Sequence, residues 1–138
     1  MAKKILFLIL ANLLMLTACN SSGNSSSVSE NATLAPVPTE YAGLRNPLSA
    51  DAANEGAVVF HTNCETCHGP QGHGDGPAGQ ALDPRPRNLA ELQTKASDDF
   101  LFWRIREGKP GTTMDAWKGI LTDDQIWQAI AFIRTLKE

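Results

Sequence analysis

Five consecutive residues, Cys64-Glu65-Thr66-Cys67-His68, put two thiols and an imidazole into one turn of chain. Thiols with two residues between them lie about one helical turn apart, so each can form a thioether with one vinyl group of the same porphyrin. The motif therefore reads as the attachment site of a single c-type haem, covalent through Cys64 and Cys67. His68 follows the second cysteine directly, where its imidazole can serve as the proximal ligand to iron. A Cys-x-x-Cys pair can also be a dithiol redox centre or half of a zinc site. Zinc would want a second ligand pair, and the one other cysteine is Cys19. A thioredoxin-like dithiol would need strands alternating with helices around the motif, and no segment shows sustained strand alternation.

The elements that hold this turn can be read outward from it. Upstream, Ala52 to Phe60 reads as a short helix capped by Ser49 or Asp51, with Gly56 and Phe60 on one face. Glycine inside a helix costs about 1 kcal/mol against alanine, so another helix is expected to approach closely at Gly56. His61, next in line, reads as a solvated helix-end histidine. Downstream, Gly74 to Gly79 formally fits G-x-G-x-x-G. It follows no strand and carries Pro77 where a helix would run, which removes the nucleotide reading. These glycines are expected instead to let the backbone pass close to a flat porphyrin. A carbonyl of the Pro77 segment, or of the extended strap Pro84 to Leu89, should accept the second N–H of His68.

A second helix starts at Ser97-Asp98-Asp99 and runs through Glu107, acid at its start and base at its end, with Gly108 and Pro110 to stop it. Gly111 to Trp117 is a loop. A third helix opens on a capping box, Thr122-Asp123-Asp124-Gln125, and carries a wide apolar face that includes Trp127, Ile130 and Ile133. It should pack on the Gly56/Phe60 helix, with Phe60 against the Phe132 face.

The chain ahead of these elements has a different character. Met1 to Ala18 has a basic start, Lys3-Lys4, and an apolar run too short to span a bilayer, and reads as an export signal. Its ending, Leu16-Thr17-Ala18-Cys19, resembles the lipobox of bacterial lipoproteins, which implies cleavage before Cys19 and lipidation of that residue. Residues 19–48, Ser/Asn-rich and then proline-bearing, are expected to be a disordered tether, leaving residues 49–138 as the domain. With formal net charge -3, and no basic stripe, composition gives no sign of nucleic-acid binding. About 90 residues make a modest core, so a buried porphyrin would be part of the fold.

Residues 49–138 resemble a small monohaem cytochrome c of the His/Met-ligated kind. The resemblance rests on the Cys64 to His68 motif, on Gly56 and Phe60 before it, on Met114 in Met114-Asp115-Ala116-Trp117, and on the terminal helix around Trp127. It implies an all-α cytochrome c fold, three main helices and loops wrapped around one haem, with His68 and Met114 as the iron ligands. Met1 and Met15 fall in the signal, so Met114 is the methionine left to the mature chain. His61, His73 or water are the alternatives for the sixth position. Asp115 stands where the family usually has proline. The implied role is electron transfer outside the cytoplasm, with no small-molecule substrate and no enzymatic step. Partners would be a quinol-oxidising complex of the bc or alternative complex III kind, a terminal oxidase or a photosynthetic reaction centre. The other reading is a haem enzyme or gas sensor with an open sixth position.

Overall fold

The structure, a computed structural model, describes residues 34–138. The expected signal, Cys19 and the first part of the expected tether lie outside the described residues. Five helices follow in order: α1 Ala53–Asn63, α2 Glu65–His68, α3 Leu89–Lys95, α4 Asp98–Glu107 and α5 Asp123–Ile133. Two 3-10 turns, Ala50–Ala52 and Gly79–Ala81, complete the regular structure. Among the described residues strand-like pairing is confined to an isolated bridge between Lys118 and Leu121.

The helices α1 and α5 cross at Gly56, as its place in the sequence predicts. A Cβ there would lie 2.6 Å from the carbonyl carbon of Gln128 and 3.1 Å from Cβ of Phe132, a separation that glycine alone allows. One turn on, the buried Phe60 ring packs 5.1 Å from that of Phe132. Both halves of the α5 capping box form: the Thr122 hydroxyl accepts from the Gln125 N–H at 3.2 Å, and the Gln125 side chain accepts from the Thr122 N–H at 2.9 Å. Phe102 of α4 stacks on Trp127 of α5 at 4.2 Å between ring centroids, which joins the third long helix to the other two.

Two local expectations are corrected. Neither Ser49 nor Asp51 caps α1; the 3-10 turn runs straight into the helix and Ala52 takes the cap position without a side-chain bond. Nor does the whole strap stay extended: it is irregular from Pro84 through Asn88, as expected, but its last residue, Leu89, opens the helix α3, which Asn88 caps by accepting from the Glu91 N–H at 3.1 Å. Lys95 then pairs with Glu91 one turn later.

The larger correction concerns residues 34–48. This stretch, expected to be the end of a disordered tether, packs as a strap along α4. The Asn46 N–H donates to Asp98 at 3.1 Å and the Gly43 N–H to Asp99 at 2.8 Å, both at the start of α4. The Tyr41 hydroxyl donates to Glu107 and accepts from Arg106 at 3.1 Å, both at its end. The strap and α4 thus run antiparallel. Tyr41 is buried, and Leu34, Val37 and Leu48 pack against the core. These apolar side chains set the segment apart from the Ser/Asn-rich stretch before it: they bury enough surface to offset the cost of ordering the backbone.

Asp98 ties strap, α4 and α5 together, since Arg134 reaches it at 2.5 Å. Burial pushes the Asp98 carboxyl up, but the bonds from Arg134 and the Asn46 N–H outweigh it and hold the group below its ordinary value. A depressed carboxylate stabilises the fold above its unfolded pKa, about 3.9, and that contribution is lost as pH falls through the folded value. Asp98→Asn is therefore expected to cost roughly 1 to 2 kcal/mol at neutral pH and to flatten the acid limb of the stability curve. Chemical denaturation from neutral to strongly acid pH measures both. An acid limb identical to the parent's would remove Asp98 from this account.

Candidate functional site

At the end of α1 the Cys64 N–H donates to the Phe60 carbonyl at 2.8 Å, and the chain then bends into α2. The N–H groups of Cys67 and His68 return to the Cys64 carbonyl at 3.2 and 2.9 Å, which closes the expected turn between the two thiols. The loop that follows folds back on this turn: the Gly74 N–H donates to the His68 carbonyl at 2.8 Å and the Ala78 N–H to the Thr66 carbonyl at 3.0 Å. This corrects the sequence expectation for the glycines. None of Gly69 to Gly79 lines the cavity described below; they bring backbone against the back of the motif.

Cys64, Cys67, His68 and Met114 open into one cavity of about 390 Å³. That is within the roughly 300 to 1,000 Å³ of cofactor sites. Its walls come from four helices: Phe60 of α1, Leu92 of α3, Leu101 and Ile105 of α4, and Ile133 of α5.

His68 Nδ1 lies 3.2 Å from the Arg87 carbonyl. A carbonyl can only accept, so Nδ1 carries the hydrogen and Nε2 keeps its lone pair free for a metal. The acceptor thus comes from the Pro84 to Leu89 strap and not from the Pro77 segment. Burial holds the imidazole below its ordinary pKa against the opposing pull of that carbonyl, so the ring is neutral at pH 7, the form that ligates. Burial, with Cys67 adding to it, pushes the Cys64 thiol up to about 12. Such a thiol stays protonated at neutral pH and is no ready dithiol nucleophile. Among the described residues no group of three His, Cys, Asp or Glu side chains is arranged to hold a metal.

Met114 is half-buried and is presented by the loop after α4. Gly108 sits at φ +70°, and a Cβ there would lie 2.6 Å from the Met114 carbonyl oxygen and 2.8 Å from the Ala116 nitrogen. The loop closes on itself, Lys109 N–H to the Met114 carbonyl at 2.9 Å, and is pinned to the last turn of α4, Trp117 N–H to the Ile105 carbonyl at 3.2 Å and Lys118 N–H to the Arg106 carbonyl at 3.0 Å. The two other histidines are elsewhere. His61 is exposed and bonds Glu65 at 2.6 Å, and His73 Nε2 lies 3.3 Å from the Lys137 carbonyl. Neither lines the cavity.

Four cations, Arg85, Arg87, Arg104 and Lys109, also line it, with Asp115 as the one carboxylate. Among the described residues none of the four is ion-paired. Arg104 lies 3.7 Å over the Trp103 ring, and burial together with the Arg87 charge lowers its pKa. An apolar slot with two thiols, a neutral imidazole, a thioether and unpaired guanidinium groups is a donor set that fits a haem bearing two carboxylates. Sequence reasoning did not place at the site Leu34 and Ala35 of the strap, Leu92 of α3 or the four cations.

Comparison with known proteins bears on the family and the fold. Residues 51–133 match the family described as cytochrome c oxidase, cbb3-type, subunit III. Cytochrome c6 of Thermosynechococcus vestitus is 35% identical over 86 residues, covering 62% of this chain and 70% of that protein. Cytochrome c6 of Parathermosynechococcus lividus is 34% identical over 84 residues, covering 61% of this chain and 88% of the relative. Among solved structures, cytochrome CL of Methylophaga aminisulfidivorans superposes with a TM-score of 0.50 at 26% identity, over 65% of this chain and 57% of the other. A chain of the reducing HAO-like protein complex of Kuenenia stuttgartiensis shares the fold alone, with a TM-score of 0.56 at 22% identity, over 69% of this chain and 50% of that one.

Proposed function

Since this chain belongs to the cytochrome c family, whose cofactor is one covalently attached haem c, we propose that it passes single electrons between membrane redox complexes on the extracytoplasmic face of a bacterial membrane. Cys64 and Cys67 would carry the thioethers, and His68 and Met114 would hold the iron. When bound, the haem supplies a one-electron couple at iron. The chain's own residues do the rest. The Arg87 carbonyl holds the His68 ring in the tautomer that leaves Nε2 free. Met114 offers a soft thioether, which favours the reduced state. Arg85, Arg87, Arg104 and Lys109 are suited to the haem carboxylates, and the apolar walls keep water from the iron. With His68 and Met114 both holding the iron, no position would be left on it for a substrate.

The observation that supports this reading most is the convergence of Cys64, Cys67, His68 and Met114 on one apolar cavity. Its test is a haem-stained denaturing gel together with a carbon monoxide titration of the reduced protein. A covalent haem that does not bind carbon monoxide is expected. Ready binding would replace the carrier with a haem enzyme or gas sensor, and no haem stain would end both.

The electron partners proposed are a quinol-oxidising complex such as a bc-type complex or alternative complex III on one side, and a terminal oxidase or photosynthetic reaction centre on the other. The chain would act as a tethered carrier or as a fixed subunit. Relatives that include cytochromes c6 and a family described as a cbb3-type oxidase subunit support both forms. Co-purification from native membranes names the partner. Among the described residues no helix is long and apolar enough to cross a membrane, and the anchor proposed is lipid on Cys19, in line with Leu16-Thr17-Ala18-Cys19 closing an apolar run. The mature N-terminus is expected to be Cys19 carrying more than one acyl chain, since a single chain holds only marginally. Mass spectrometry that finds Cys19 unmodified, or a different cleavage point, excludes the anchor.

A further inference from the structure

We infer that the strap is a wall of the haem site, and that Leu34 is a positioning residue that sets the reduction potential by keeping water from the cofactor. The inference rests on the haem reading above. Leu34 and Ala35 stand about 30 residues before Cys64 in the chain, yet both line the same cavity as Cys64, Cys67, His68 and Met114. Leu34 is partly buried against the core, whereas Leu44 of the same strap is 39% exposed and does not line the cavity.

The strap is held where it can do this. Its bonds to Asp98 and Asp99 fix it at the start of α4, and those of Tyr41 to Glu107 and Arg106 fix it at the end. Between these points α4 contributes Leu101 and Ile105 to the cavity wall. Strap and wall are therefore one bonded unit, and Leu34 arrives at the cavity seven residues beyond the Tyr41 anchor. Oxidised iron carries one more positive charge than reduced iron. Apolar cover and exclusion of water disfavour the more charged state, so the potential rises with cover. A hydroxyl in place of the leucine reverses this without touching either axial ligand.

The experiment is potentiometric titration of the full-length holoprotein as parent, Leu34→Ser, Leu34→Ile and Leu44→Ser, with the absorption band of the axial sulfur recorded for each. Leu34→Ser is expected to shift to lower potential with the sulfur band retained, while Leu34→Ile and Leu44→Ser stay at the parent's value. Where Leu34→Ser fails to accumulate, Leu34→Ala removes the same cover without a hydroxyl and must show the fall. A parent-like potential in whichever of these two variants accumulates overturns the inference, and so does an equal fall in Leu44→Ser. Failure of the haem reading is distinct: it shows as absence of haem stain in the parent, whereas failure of this inference shows only with haem in place.

Discussion

Replacing Met114 by alanine is expected to abolish the weak sulfur-to-iron band at the red edge of the oxidised spectrum, to lower the reduction potential and to open the iron to exogenous ligands. Of the three methionines, Met114 alone falls within the described residues, and it lines the cavity shared with His68. Its loop is fixed by the last turn of α4 and by Gly108, so the backbone that presents the thioether is held by hydrogen bonds, and the side chain packs against the core. Axial ligand choice spans about 0.8 V across haem proteins, so loss of the thioether should move the potential by tenths of a volt. Carbon monoxide, which the parent should refuse, should then bind the reduced variant. His61→Ala and His73→Ala serve as controls, since both side chains lie off the cavity, and neither should alter spectrum or potential. A Met114→Ala protein with the parent's spectrum and potential would remove Met114 from the iron.

The second large effect is expected at the helix crossing. A leucine at Gly56 meets backbone: the carbonyl carbon of Gln128 is 2.6 Å from where its Cβ must sit. Backbone cannot move aside as a side-chain tip can, so α1 and α5 must separate. Overpacking in a core that can adjust costs about 1 to 3 kcal/mol. Here the cost should exceed that range, and at roughly 4 to 8 °C per kcal/mol for a domain of this size the thermal midpoint should fall by tens of degrees, or holoprotein should not accumulate. Val58→Leu, on the exposed side of the same helix at 67% exposure, should melt like the parent. Thermal denaturation of the three proteins decides; a Gly56→Leu variant that accumulates haem and keeps the parent's midpoint would mean that the crossing does not limit stability.

How much of this was legible depended on whether a residue's role was local. The Thr122/Gln125 box, the stop at Gly108 and the turn from Cys64 to His68 are each decided within a few positions, and each could be read directly. Gly56 was legible for a different reason: a glycine within a helix needs a cause, and close approach supplied one. The α3 helix had its own signal, Asn88 with Glu91 three residues on, but Pro84 and Pro86 just before it drew the reading toward an extended strap. The N-terminal strap was hidden by composition. Three prolines and a Ser/Asn-rich neighbour looked like tether, while Leu34, Val37, Tyr41, Leu44 and Leu48, at intervals of three and four, carried an apolar pattern that no helix uses there. Arg87 could be named only as one of several carbonyls, because choosing among them needs the path of the chain in space.

The crossing of α1 and α5 also fixes an order of events in time. It joins Gly56 to Gln128, about seventy residues apart, so nothing in the first part of the chain can complete this contact before the last helix has been made. Contacts of such long range close late and slowly. Until then Phe60 and the turn that follows it lack their α5 partner, and the cavity lacks the wall that Ile133 provides. Cys64 and Cys67 are thus reachable on an open chain for as long as synthesis and closure take, and half-buried in the cavity afterwards. A chain cut short before Ile126 would hold every residue of the donor set and lack both the helix that α1 crosses and the wall at Ile133.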